Sequence, residues 1–374
     1  MIYLDNAATS FPKPASVLAA VRGVSERLAA NPGRSGHRMS LAAGRIVMRC
    51  RRALADLLAV PTPERIVFCL NCTDALNLAL RGLPLPGGHV IATALDHNAS
   101  LRPLCGMAQR GEIALDILEP DETGAVSAAQ VEAALRPDTR LVMCAHASNV
   151  TGAVQPADAI GAVCRSHGVP FLVDAAQTIG VLPVRPLQMG ASLVAFPGHK
   201  GLMGPMGTGA LWLADGVELT PLREGGTGSQ SQSVLQPQEL PERYESGTLN
   251  LPGIAGLLQG VRFVQARRAQ IEAHDRALAA RLRDGLTALG ARLYGPETPA
   301  LGLVSFNLGG MRSEDVADGL NRYGIGIRAG LHCAPLAHRY LGTMEMGAAR
   351  ASTGWFNTEG DIDRLLAVVA RMRP

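Results

Sequence analysis

The stretch Pro170-Phe-Leu-Val-Asp-Ala-Ala-Gln177 (PFLVDAAQ) is a short apolar run that closes on an acid and, three positions later, a carboxamide. Similar runs lie on both sides of it: RIVFCL from Arg65, HVIATAL from His89, EIALDIL from Glu112, RLVMCAHA from Arg140, SLVAF from Ser192 and TGALWLA from Thr208. Helical patterns separate them, and an amphipathic one with Val17, Val21, Val24 and Leu28 on one face precedes them. Strand-like runs alternating with helices predict an α/β fold with a mainly parallel sheet covered on both faces. In such sheets ligands collect outside the carboxyl ends of the strands. The polar residues that follow the runs are therefore expected to converge on one edge: Thr73, His97, Asn149, Asp174, Gln177, His199 and Lys200.

Composition narrows what that edge can do. The 374 residues, 47% hydrophobic, can bury a substantial core. No run approaches the roughly 18 apolar residues of a membrane helix. The opening MIYLDNAATSF carries an acid at position 5 and no basic leader, so the expected compartment is the cytoplasm. A net charge of +3 with no long run of one sign gives no footprint for nucleic acid or a membrane surface. Seven cysteines, an odd number, do not form a disulfide framework. Cys69 and Cys72 make a lone CxxC without a second pair, so no metal site is expected and both read as structural.

The basic residues are informative in kind. Thirty-three are arginine, and only Lys13 and Lys200 are lysine. Arginine cannot act as an amine nucleophile, whereas a desolvated lysine can. Lys13 sits in a Pro-Lys-Pro turn and reads as incidental. Lys200, 26 positions after Asp174 in FPGHKGLMGPMGTG, is the candidate for carbonyl chemistry.

An acid at a strand end, a later lysine, a hydroxyl at a helix mouth and an imidazole match what pyridoxal 5'-phosphate needs. The lysine holds the aldehyde, the carboxylate keeps the ring nitrogen protonated, and a helix N-terminus takes the phosphate. Each residue also has a plainer reading: Asp174 as a helix cap, His97 as a hydrogen-bonded structural histidine. The glycines of FPGHKGLMGPMGTG follow the lysine and do not have P-loop spacing, and GGTGS (225–229) lacks a strand before it and a helix after it. Cys333, in RAGLHCAPLAH (328–338), could be core packing or a reactive thiol.

Taken in order, LDNAATSFPKP, NPGRSGH (31–37), LDHNA, HASNVTG, VDAAQT (173–178), GHKGLMGPMGTG, ESGTLN (245–250), RAGLHCA and RASTGWFNT (350–358) resemble the cysteine desulfurase family. These are class V aminotransferases of PLP fold type I, and RAGLHCA is similar to the SufS-like, group II branch. The resemblance implies that Lys200 binds the cofactor aldehyde, Asp174 the ring nitrogen and Gln177 the ring hydroxyl, while His97 stacks on the ring. It implies phosphate contacts from Thr73 and His199, and from Thr248 of the other subunit of a homodimer. Asn149 and Arg350 would hold the substrate carboxylate, with Arg328 and His37 as further substrate contacts. Cys333 would take the sulfur of L-cysteine as a persulfide, leaving L-alanine, with Arg328 and His332 favouring its thiolate.

A sulfur-acceptor protein and a role in iron–sulfur cluster assembly follow from the same resemblance. Its alternatives are a selenocysteine lyase, a cysteine sulfinate desulfinase, another class V aminotransferase or lyase with a structural Cys333, and a PLP-binding scaffold without turnover. Two departures stand out. Pro197 occupies a position that is usually serine, and the helix-opening turn reads Asn71-Cys72-Thr73 where Gly-Ala/Thr-Thr is usual. The expected organisation is a large PLP-binding domain over 14–252 and a small C-terminal domain over 253–374 joined by 1–13. A helical region (251–286) would connect them, and LGLVSFNL and GIGIR would supply the small domain's strand–helix–strand.

Overall fold

The computed structural model describes residues 1–32 and 36–372; positions 33–35, within the NPGRSGH segment, lie outside the described residues. In chain order the strands are β1 (Ile2–Tyr3), β2 (Ile66–Cys69), β3 (Gly88–Thr93), β4 (Ile113–Leu118), β5 (Thr139–Ala145), β6 (Phe171–Asp174), β7 (Leu193–Pro197), β8 (Gly209–Leu213), β9 (Arg292–Tyr294), β10 (Leu303–Asn307), β11 (Ile325–Gly326) and β12 (Ala349–Ser352). Seven of them form one sheet in the order β2-β8-β7-β6-β5-β3-β4, in which only β8 runs against its neighbours. This is the mainly parallel α/β sheet that the alternating runs predict.

Both faces of the sheet are buried, and the period of two along each strand shows it. Phe171 and Val173 of β6, with Val194 and Phe196 of β7, enter one apolar core. Leu172, Leu193 and Ala195, one residue out of step, enter the other. The register pairs Ala145 with Asp174 and Asp174 with Ala195, so β5, β6 and β7 end side by side. The segments following them therefore start from one edge.

A third core gathers Leu4, Leu282, Val304, Phe306, Ala351 and Ile362, among others. LGLVSFNL and GIGIR supply the expected strand–helix–strand, as β10, the helix Ser313–Asn321 and β11. GIGIR contributes only β11, which pairs in parallel with β1 and not with β10. The partners of β10 are β9 and β12, both antiparallel. The reason lies in β12: Ala349 and Ala351 face this core, and the intervening Arg350 is thereby turned away from it. The helical region 251–286 is likewise two helices, Leu251–Gln265 and Arg268–Ala288, broken where Arg267 leaves helical geometry (φ −137°, ψ 4°). The first packs on the large sheet's core and the second on the third core. No helix among the described residues is long and apolar enough to cross a membrane.

Candidate active site

At the carboxyl edge of the sheet lies a cavity of about 230 Å³ lined by His97, Asn149, Asp174, Gln177, His199 and Lys200, together with Thr73, Arg328 and Arg350. The strand-end residues picked from sequence thus meet in one place. Asp174 closes β6, is 4% exposed, and accepts from the Ala176 N–H (2.9 Å). Burial raises its pKa, opposed by that N–H, by the nearby Lys200 and by a thiol. The thiol belongs to Cys72, whose Sγ lies 3.4 Å from Asp174 Oδ1. Cys72 is therefore part of the site and not merely structural. It comes into reach because Asn71, accepting from the Asp74 N–H (2.9 Å), caps the helix Cys72–Gly82 that points its first turn at the cavity.

Burial lowers the pKa of the Lys200 amine, and Arg350 and Arg328 push the same way while Asp174 opposes them. Its backbone is held from the N-terminal segment. Ser10 Oγ donates to the Lys200 carbonyl (2.9 Å), and the His199 carbonyl accepts from Thr9 Oγ1 (3.1 Å), Ser10 N (3.1 Å) and Lys13 Nζ (2.7 Å). Lys13 is therefore not incidental: it braces the neighbour of Lys200, and burial lowers its pKa to about 8. The scarcity of lysine was the signal that could have found it.

His97 caps the helix Asn98–Gln109 by accepting from the Ala99 N–H through Nδ1 (3.0 Å). It is neutral near pH 7, because burial, helped by Lys200, Arg328 and Arg350, lowers its pKa to about 4. His199 is lowered to about 4 by burial, with Lys200 and Lys13 adding to it, and its Nδ1 is buried without a partner. Gln177 donates to the Ala7 carbonyl (3.3 Å).

Arg350, 1% exposed, donates through its two terminal nitrogens to the Asn149 carbonyl (2.8 Å) and to Asp5 Oδ1 (2.9 Å), leaving Nε without a partner. Sequence reasoning missed Asp5, although MIYLDN displays it next to the apolar β1. Asn149 Nδ2 donates to the His332 carbonyl (2.7 Å), and the Cys333 carbonyl accepts from the Asn98 N–H (2.7 Å). These two bonds pin a turn in which both His332 (φ 50°) and Cys333 (φ 57°) are left-handed. That conformation is unfavourable for residues other than glycine and collects at functional sites. Cys333 is exposed, and its thiol lies 3.9 Å from the Arg328 guanidinium.

Two expected residues stand elsewhere. His37 does not line this cavity; its Nδ1 accepts from the Ser40 N–H (3.3 Å) at the start of the helix Arg38–Leu58. Thr248 is exposed beside a separate cavity of about 140 Å³ that also touches Asp74 and Glu245.

The set fits a pyridoxal phosphate. A buried acid stands beside an amine, a helix N-terminus opens with Thr73 at the mouth, and His199 Nδ1 lacks a protein partner. Gly198 and Gly209 serve the same edge, since a Cβ would fall 2.1 Å from Thr208 Oγ1 in one case and 2.6 Å from the Asn71 backbone in the other. Pro197 lines the cavity and has no N–H to offer.

An α/β sheet with a lysine, a buried acid and an arginine at its carboxyl edge defines a cofactor-dependent class of enzymes. The sequence pattern of the class-V aminotransferases matches residues 2–365, and the chain belongs to that family. It is 34% identical to a probable cysteine desulfurase of Methanothermobacter thermautotrophicus, over 97% of this chain and 92% of that one. It is 33% identical to a probable cysteine desulfurase of Pyrococcus abyssi, over 100% and 94%. Among solved structures, it superposes on an apo cysteine desulfurase of Thermococcus onnurineus with a TM-score of 0.93 at 32% identity, covering 99% of this chain and 94% of that one. For an Escherichia coli cysteine desulfurase in its S-sulfonic acid form the values are 0.90, 28%, 99% and 94%. Members of this family depend on pyridoxal 5'-phosphate, the cofactor the residues fit.

Proposed function

We propose that this chain is a cysteine desulfurase that converts L-cysteine to L-alanine and takes the sulfur onto Cys333 as a persulfide. The observation that carries the reading is the convergence of Lys200, Asp174 and Arg350 on one cavity, with Cys333 exposed next to the cavity-lining His332, on a left-handed turn and 3.9 Å from the cavity-lining Arg328.

Bound pyridoxal phosphate supplies an electrophilic aldehyde and an electron sink. Lys200 is the residue to bind that aldehyde and then to move the proton at the substrate Cα, a role that suits an amine whose proton affinity burial has lowered. Asp174 would hold the ring nitrogen, with the Cys72 thiol and the Ala176 N–H both at its Oδ1. His97, neutral and fixed by the Ala99 N–H, would lie against the ring and bring no charge to it. The unpartnered Arg350 Nε suits the substrate carboxylate, whereas Asn149, expected to hold it too, gives its Nδ2 to the His332 carbonyl (2.7 Å) and has only the acceptor Oδ1 free, which a carboxylate cannot use. The Cys333 thiolate attacks the substrate sulfur: an S–S bond forms, the Cβ–S bond breaks, and its electron pair stays with the carbon skeleton that leaves as alanine.

The same reading assigns the chain to the SufS-like, group II branch on the RAGLHCA segment, and takes domains of 14–252 and 253–374 with 1–13. It includes a homodimer to which Thr248 contributes across the interface, delivery of sulfur to an acceptor protein for iron–sulfur cluster assembly, and a cytoplasmic setting suited to seven unpaired thiols. Mass analysis after cysteine treatment tests the reaction. One added sulfur is expected on the peptide holding Cys333, with alanine formed and both lost in Cys333→Ala. A cofactor-loaded protein that shows neither would overturn the assignment.

A further inference from the structure

Cys72 touches the buried acid of the site, and the reaction as described gives its thiol no task. Its Sγ lies 3.4 Å from Asp174 Oδ1, and the Ala176 N–H donates to the same oxygen (2.9 Å). Two donors match the two lone pairs of that oxygen. Among the described residues no hydrogen bond goes to Oδ2, and that oxygen is not sealed off either. Asp174 is 4% exposed and lines the active-site cavity, so the open side of the carboxylate is the side toward the cavity.

The thiol is held in place from several directions. Asn71 accepts from the Asp74 N–H (2.9 Å) and so sets Cys72 as the first residue of the helix Cys72–Gly82. The Asn71 backbone packs so closely on β8 that a Cβ on Gly209 would fall 2.6 Å from it. The remainder of Cys72 rests on the apolar core that holds Leu76, Leu172 and Leu211. Among the described residues Asp174 is the one hydrogen-bond partner of its Sγ. Burial, reinforced by Asp174, raises the Cys72 pKa well above the ordinary thiol value, so the sulfur keeps its hydrogen and donates it. In return the contact lowers Asp174, against the effect of burial.

We propose that Cys72 is a positioning residue for the cofactor contact: together with the Ala176 N–H it occupies Asp174 Oδ1, fixes the plane of the carboxylate and leaves Oδ2 as the acceptor for the ring nitrogen of pyridoxal phosphate. A single donor would let the carboxylate turn about it. Donors from two different elements, the turn after β6 and the helix Cys72–Gly82, set its orientation before the cofactor arrives. A donor on the anionic acid also opposes the burial that would draw the proton of the ring nitrogen back to Asp174. Alanine, one of the residues usual at this place in the family, offers no such donor.

The inference rests on the assignment of Asp174 to the ring nitrogen, and its test separates the two. Full-length apoprotein is titrated with pyridoxal phosphate and with its carbocyclic analogue, in which C–H replaces the ring nitrogen. The wild type is expected to bind the natural cofactor more tightly. Cys72→Ala, a residue the fold accommodates in relatives, should weaken pyridoxal phosphate about three- to tenfold, the worth of one hydrogen bond, and leave the analogue within about twofold. In holoenzyme reconstituted with ¹⁵N-labelled cofactor, the ring-nitrogen signal should mark a protonated nitrogen in the wild type and shift in Cys72→Ala. Unchanged affinity for pyridoxal phosphate, an unchanged ring-nitrogen signal, or equal weakening of both ligands would each overturn the positioning role, the last by showing that the thiol serves only to pack the helix. A wild type that binds both ligands alike would remove Asp174 from the ring nitrogen and take the proposal with it. Neither readout depends on turnover of cysteine, so failure of the desulfurase reading would be seen separately, in the mass analysis.

Discussion

Arg350 is held by Asp5 on one side and the Asn149 carbonyl on the other, so its guanidinium is fixed before any substrate arrives. Only a planar fork can satisfy both and keep Nε free for a carboxylate. Lysine at this position would keep the charge and lose the fork. Arg350→Lys is therefore expected to raise KM for cysteine by roughly tenfold or more, the effect of losing about 1.5–3 kcal/mol of charge-assisted hydrogen bonding. Steady-state kinetics with cysteine check it, and an unchanged KM would remove Arg350 from the carboxylate site. The residue was visible in sequence only through the family resemblance, because an isolated arginine among thirty-three says nothing by itself. Its setting was not visible at all. Asp5 lies 345 positions away, and the bond depends on β1 and β12 arriving at the same place.

The elements that hold the site share one deeply buried ion pair. Arg51, from the helix Arg38–Leu58, donates through both terminal nitrogens to Glu245 (2.8 Å each) and to the Ile66 carbonyl of β2, and lies over the Phe68 ring. Glu245 also accepts from the Phe68 N–H (2.6 Å) and opens the ESGTLN segment that carries Thr248. Removing one partner of such a pair leaves the other charge buried alone, which is worth about 3–5 kcal/mol. Glu245→Ala should lose stability on that scale in urea titration, and a loss below about 1 kcal/mol would show that solvent reaches Arg51.

The main sheet was legible at this scale because its strands are short, largely buried apolar runs, and polar residues end or follow several of them. The antiparallel β9–β10–β12 sheet was not. Its strand ARAS (349–352) carries two alanines and an arginine in place of a hydrophobic run, and its pairing is set by the packing of those alanines. The Glu245 brace and the Cys72–Asp174 contact were hidden for the same reason, since each joins residues distant in sequence.

Across the whole molecule, buried titratable groups of opposite kinds set the dependence of stability on pH. His97, His146, His199 and His338 are lowered to about 4, and His332 to about 2, chiefly by burial. Below their ordinary value near 6.5 the unfolded chain binds protons that the folded chain refuses, so stability falls as pH drops from 6.5 toward 4. Each such histidine is expected to remove on the order of 1 kcal/mol by pH 5.5. Asp96 and Asp275 act the other way. Burial raises them to about 7 and about 8, so the folded chain keeps protons that the unfolded chain gives up above pH 4, and their stabilisation is lost as pH rises through those values. At pH 5 to 6 five histidines outweigh two acids. Above pH 7 the histidines are neutral in both states and the acids remain. Stability of the apoprotein should therefore rise from pH 5 to a maximum between pH 6.5 and 7 and decline to about pH 8, above which both acids are ionised in either state and Lys13, lowered to about 8, works against any further loss. Asp275, whose Oδ1 has no partner, is the main source of that decline, and Asp275→Asn should flatten the alkaline side and raise stability at pH 8 by on the order of 1–3 kcal/mol. Urea midpoints at pH 5, 6, 7, 8 and 9 for both proteins decide it. A wild-type profile that climbs steadily to pH 8, or an Asp275→Asn profile parallel to it, would show that water reaches this carboxyl and that it titrates like a surface acid.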